Sequence, residues 1–116
     1  MRNLILSTGE YYHIYNRGSD KRTIFENDSD LERFLKSMLE FNTVNGIGSI
    51  YEHTHKRKFG SLASKLEDPI VNIVAYCLNP NHYHLILEQV EEKGVERFMH
   101  KVGTGYTKYF NEKYDR

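Results

Sequence analysis

Residues 70–88 read Ile70-Val71-Asn72-Ile73-Val74-Ala75-Tyr76-Cys77-Leu78-Asn79-Pro80-Asn81-His82-Tyr83-His84-Leu85-Ile86-Leu87-Glu88. Two apolar runs of strand length flank Asn79-Pro80-Asn81. Asn and Pro are turn formers, and proline presets φ for a turn. The stretch predicts a β-hairpin with strands over Ile70–Leu78 and His82–Val90. Strand side chains alternate between faces. His82 and His84 therefore share one face, while Tyr83, Leu85 and Leu87 share the other. Two imidazoles separated by one apolar residue can serve as two ligands of a preorganised metal site. The same spacing suits two polar residues on a solvated sheet face, and spacing alone leaves both readings open.

Upstream, Tyr11-Tyr12-His13-Ile14-Tyr15-Asn16 has the aromatic and β-branched content of a strand. Arg17-Gly18-Ser19-Asp20 ends it as a turn, and Arg17, Lys21 and Arg22 form a compact basic cluster. Such a cluster is either ordinary solvated charge or a set of phosphate contacts. A first helix is expected from Ser29, with Ser29 and Glu32 as a capping box. Leu31, Phe34, Leu35, Met38 and Leu39 follow at helical spacing as a core stripe. The pattern breaks at Asn45-Gly46-Ile47-Gly48. Ser49–Pro69 reads as a loop; its His53-Thr54-His55 lacks an apolar middle residue and a strand context. The adjoining Lys56, Arg57 and Lys58 fit a solvated basic loop or one that touches nucleic acid.

Downstream, a second helix begins after Gly94, with Val95, Phe98, Met99, Val102, Tyr106, Tyr109 and Phe110 on its apolar face. Arg97, Lys101, Lys108 and Glu112 lie off that face. Gly103 and Gly105 sit inside the helix, at a cost of about 1 kcal/mol each relative to Ala. Interior glycines point to close packing or a kink. The element order is β-α-β-β-α: an α+β, ferredoxin-like split β-α-β fold with both helices on one sheet face and its last strand missing.

The 116 residues form one domain, 1–116, large enough for a core. Lys plus Arg and Asp plus Glu are both 16, so net charge identifies no partner. Hydrophobic content of 39%, with 9 Tyr and 6 Phe, excludes a disordered chain. The single cysteine, Cys77, is expected to be buried in its strand as a small hydrophobe. It leaves no disulfide within the chain, which fits a reducing cytoplasm. No apolar run approaches the ~20 residues of a membrane span.

Taken together these blocks resemble the single-tyrosine HUH transposases, the insertion-sequence-200-like family that includes the REP-associated tyrosine transposases. His82-Tyr83-His84 looks like the HUH triplet within the block Ala75–Glu88. Tyr12–Gly18 looks like the family's first strand, and Phe98-Met99 through Tyr106–Asn111 like its following helix. The resemblance covers nearly the whole chain apart from Ser49–Pro69. It implies a domain that binds single-stranded hairpin DNA and cleaves and rejoins it through a 5′-phosphotyrosine. It implies Mg²⁺ or Mn²⁺ on His82 and His84 with a third ligand from the tyrosine helix; Mn²⁺ suits a mixed nitrogen and oxygen site better. Asn16, Arg17, Lys21, Arg22, Arg97, Lys101 and Lys108 are the expected DNA contacts. In the family the nucleophilic tyrosine lies on a further C-terminal helix, so it is expected beyond Arg116 and the domain reads as C-terminally incomplete. A non-catalytic single-stranded nucleic-acid-binding module is the alternative. Without its last strand the first strand becomes an open edge. That edge predicts a homodimer, in keeping with the family, or cover from Met1–Glu10.

Overall fold

The hairpin forms, and its second strand becomes the centre of the sheet. The structure, a computed structural model, describes residues 5–43 and 68–115. Within them the chain runs β1 (Tyr11–Arg17), a 3-10 turn (Ser19–Lys21), α1 (Asp28–Glu40), β2 (Val71–Asn79), β3 (His82–Gln89) and α2 (Gly94–Tyr114). β3 pairs antiparallel with β1 and with β2, giving the order β1-β3-β2. The fold is α+β, with a three-stranded antiparallel sheet and two α-helices against one face. The Ser49–Glu67 part of the expected loop, with His53, His55 and Lys56–Lys58, lies outside the described residues.

Alternation along β3 separates the two layers. Tyr83, Leu85, Leu87 and Gln89 are buried, and the residues between them are not. Leu85 and Leu87 join Phe34 and Met38 of α1 and Phe98 and Val102 of α2 in the core. Full burial of such side chains stabilises by roughly 1.5–3 kcal/mol each. The expected stripe on α1 holds at Phe34 and Met38, but Leu39 is 57% exposed. One residue on from Met38, Leu39 is turned about 100° around the helix and leaves the apolar face.

α1 does not start with the expected capping box. Its N-cap is Asn27, whose Oδ1 accepts the Asp30 N–H at 3.2 Å. Asn is at least as good a cap as Ser. The earlier start lets Asp30 face α2, fully buried. There Asp30 Oδ1 accepts from Lys113 Nζ at 2.8 Å and Tyr109 Oη at 2.7 Å, and Oδ2 accepts from Tyr114 Oη at 2.6 Å. The Glu26 N–H adds a fourth bond at 2.9 Å. Burial pushes the Asp30 pKa up, but these bonds outweigh it and hold the carboxyl down at about 2. The bond to Asp30 raises the Lys113 pKa. This cluster ties the start of α1 to the end of α2.

Two buried amides secure the other end. Asn42 Oδ1 accepts the N–H groups of Ile70 and Val71 at 2.9 and 3.0 Å, and its Nδ2 donates to the Val71 carbonyl at 2.9 Å. Gln89 Oε1 accepts the Val95 N–H at 3.1 Å, satisfying an otherwise orphaned donor at the start of α2.

A bulge in β2 corrects the placement of Cys77. Ile73 pairs with Leu87, but Ala75 pairs with Ile86, so Val74 is an extra residue. An extra residue reverses the facing of everything beyond it. Cys77 and Asn79 therefore stand opposite His84 and His82 on the uncovered face, and Cys77 is exposed.

Candidate functional site

The uncovered face of the sheet is built in rows, because directly opposed residues of antiparallel strands share a face. Arg17, His82 and Asn79 form one row, and Tyr15, His84 and Cys77 the next. His13, Ile86 and Ala75 follow, then Tyr11, Glu88 and Asn72. The pairing of β1 with β3 thus brings a third histidine, His13, to the His82–His84 pair. Sequence reading missed it; its signal was strand alternation, since His13 is two residues before Tyr15 and four before Arg17.

The three imidazoles touch. His13 Nε2 lies 3.0 Å from His84 Nδ1, and the two rings stack with centroids 5.1 Å apart. The His82 and His84 rings lie 5.3 Å apart, edge to face. Tyr15 packs on both, at 4.9 Å from His84 and 5.7 Å from His82.

One hydrogen bond assigns the His82 tautomer. Asn81 Oδ1 can only accept, so His82 Nδ1 donates to it at 2.8 Å. That leaves the His82 Nε2 lone pair to accept from Asn79 Nδ2 at 3.2 Å. On His84 the same arrangement follows if Nδ1 donates to His13, which again frees Nε2. Metal-ligating histidines are oriented in this way, through a hydrogen bond from the other ring nitrogen. The pair therefore fits a divalent cation on chemical grounds. Among the described residues, however, no group of three His, Cys, Asp or Glu side chains stands ready to hold a metal ion.

The expected nucleic-acid contacts divide. Arg17 stands opposite His82, and Arg22 lies with it around a cavity of about 350 Å³ at the end of β1. Lys21 is exposed on the adjoining turn, its carbonyl accepting from Asn81 Nδ2 at 3.3 Å. Asn16 is on the covered side instead, donating to the Tyr83 hydroxyl at 2.8 Å. Lys108 is exposed on α2. Lys101 is tied to the Thr43 carbonyl at 3.1 Å, away from the histidines, and burial followed by the nearby Arg97 lowers its pKa. The structure does not bring Arg97 and Lys101 to the Arg17 cluster.

Residues Ile5–Glu10 do not pair along the outer edge of β1. Gly9 donates to the Gln89 carbonyl at 2.8 Å and Gln89 donates to that of Glu10 at 3.0 Å, so this segment continues the inner pairing with β3. Among the described residues no helix is long and apolar enough to cross a membrane. No protein-family model, curated protein or solved structure matches the chain.

Proposed function

We propose that this domain binds single-stranded hairpin DNA across the open face of its sheet, with a divalent cation held by His82 and His84, in the manner of a single-tyrosine HUH transposase. The observation that carries the reading is the clustering of His82 and His84 on the open sheet face, their rings 5.3 Å apart, with His82 Nδ1 tied to Asn81. The β-α-β-β-α order, with helices on one face only, supports a ferredoxin-like fold of the split β-α-β kind.

When bound, the cation withdraws charge from a phosphodiester and orients it. The chain's own residues do the remaining work. Arg17, beside His82, offers a guanidinium to a neighbouring phosphate. Tyr11 and Tyr15, 61% and 48% exposed, offer rings on which unpaired bases stack. Cleavage by a tyrosine forms an oxygen–phosphorus ester and releases the 3′-hydroxyl, so it needs a free phenol near the histidines. Tyr106 donates its hydroxyl to the Ile24 carbonyl, and burial raises its pKa far from any reactive range. Tyr109 and Tyr114 donate to Asp30. Tyr15 is the described tyrosine whose ring touches both HUH histidines.

A second reading, a non-catalytic single-strand-binding module, is favoured by the exposed rings of Tyr11 and Tyr15, which stacking alone would use. A denaturing gel with labelled hairpin DNA and Mn²⁺ separates the two. A covalent band lost in the His82→Ala, His84→Ala double variant supports the enzyme. Hairpin binding without a band supports the module, and absence of binding at low salt removes both.

A further inference from the structure

The two glycines inside α2 have different reasons to be there. At Gly105 a Cβ would lie 2.9 Å from the Phe41 ring, so close packing accounts for it. At Gly103 a Cβ would meet nothing within 4 Å. A helix-weakening residue with no packing reason calls for another explanation. Gly103 lines the cavity at the end of β1, so a bulky side chain at this position is expected to narrow it.

The cavity has a consistent chemistry. Its floor is aromatic, with Phe34, Tyr83, Tyr106 and Phe110. The floor's polar tips are already used, by Asn16 on Tyr83 and by Ile24 on Tyr106. Arg17 and Arg22 stand at the cavity, and no acidic residue lines it. Neither arginine has an ion pair among the described residues. The side chains of Thr107 and Asn111 also line it and make no hydrogen bond among the described residues. About 350 Å³ is within the usual range of a small-ligand site.

We propose that this cavity takes one unstacked nucleotide, its base against the aromatic floor and edge-read by Thr107 and Asn111, its phosphate on Arg17 and Arg22. A planar heteroaromatic ring joined to an anionic phosphate satisfies the aromatic lining, the amide and hydroxyl of Asn111 and Thr107, and the two arginines together. Arg17 also stands beside His82, so a strand leaving the histidine face passes the mouth of the cavity. The proposal shares its ligand class and Arg17 with the histidine reading, but Gly103, Thr107 and Asn111 belong to it alone, so the two fail separately.

The test is an NMR titration of the whole chain with deoxyadenosine 5′-monophosphate, deoxyadenosine and inorganic phosphate. The nucleotide is expected to bind saturably, moving Gly103 and Thr107 amide signals, and to bind at least tenfold more tightly than either fragment. Gly103→Leu should weaken it tenfold or more while leaving the melting temperature equal or higher. Arg22→Ala should reduce it to the affinity of the nucleoside. Saturable binding by none of the four deoxymononucleotides overturns the proposal. So does Gly103→Leu binding as tightly as the native chain, or inorganic phosphate binding as well as the nucleotide. Hairpin DNA bound through His82 and His84 with no effect of Gly103→Leu would leave the histidine reading standing and remove this one. The nucleotide bound in the cavity without hairpin binding would do the reverse.

Discussion

The two faces of the sheet differ in what they ask of adjacent residues on one strand. On β3, Leu85 has no exposed surface, while its neighbours His84 and Ile86 lie on the uncovered side. The covered face uses its residues for packing, where a missing methyl group leaves a cavity. The open face uses imidazole, phenol and guanidinium groups that contribute little to stability and remain available to a ligand. A strand therefore separates stability from chemistry at every second residue, because its side chains alternate.

The sharpest way to break this contrast is a pair of variants one residue apart. Leu85→Ala should cost about 3 kcal/mol in urea unfolding, from lost transfer energy and the residual cavity. A loss below about 1 kcal/mol would mean the helices do not pack on this face as described. Asn42→Ala comes next, at about 2–3 kcal/mol, because it leaves the buried Ile70 and Val71 N–H groups without an acceptor. Its effect should appear first as lost amide-exchange protection at the start of β2.

Asp30 sharpens the comparison from the helix side. Its pKa in the folded chain, about 2, lies below the ordinary value of 3.8. A depressed pKa means the folded state favours the carboxylate. That stability is present above about pH 4 and is lost as pH falls towards about 2. With allowance for solvent around Lys113, the loss should be about 1–2 kcal/mol. Asp30→Asn should flatten the stability profile across this window. An unchanged acid limb in that variant would show that other carboxylates carry it.

The smallest change in stability belongs to the open face. His84→Ala should shift the unfolding free energy by less than about 0.5 kcal/mol, yet remove Mn²⁺ affinity as read by electron paramagnetic resonance. A fold destabilised as strongly as by Leu85→Ala would make His84 a structural residue. Retained Mn²⁺ affinity would count against the proposed metal site on His82 and His84.

Much of this was legible from local pattern. The hairpin, the placement of His82 and His84 on one face and the apolar stripe of α2 follow from periods of two and 3.6 residues, which need no knowledge of partners. The choice of Asn27 over Ser29 as helix cap was not, because several good caps stood in a row and burial of Asp30 decided between them. Cys77 was misread because a bulge leaves no periodic trace: Val74 is as good a strand residue as its neighbours.

The sequence by itself determined the strands, the helices and the histidine pair, since each depends on residues close together along the chain. Only the tertiary structure decided that His13 joins them, that Arg17 stands beside His82, and that Cys77 faces outward. It also decided that Gly105 packs against Phe41 while Gly103 lines a cavity. The physical reason is pairing between residues far apart in the chain: β1 meets β3 across about 70 positions. Local propensity sets which segments can pair, but the register and the bulge that align their side chains are set by burying Leu85, Leu87 and Tyr83 under two helices at once.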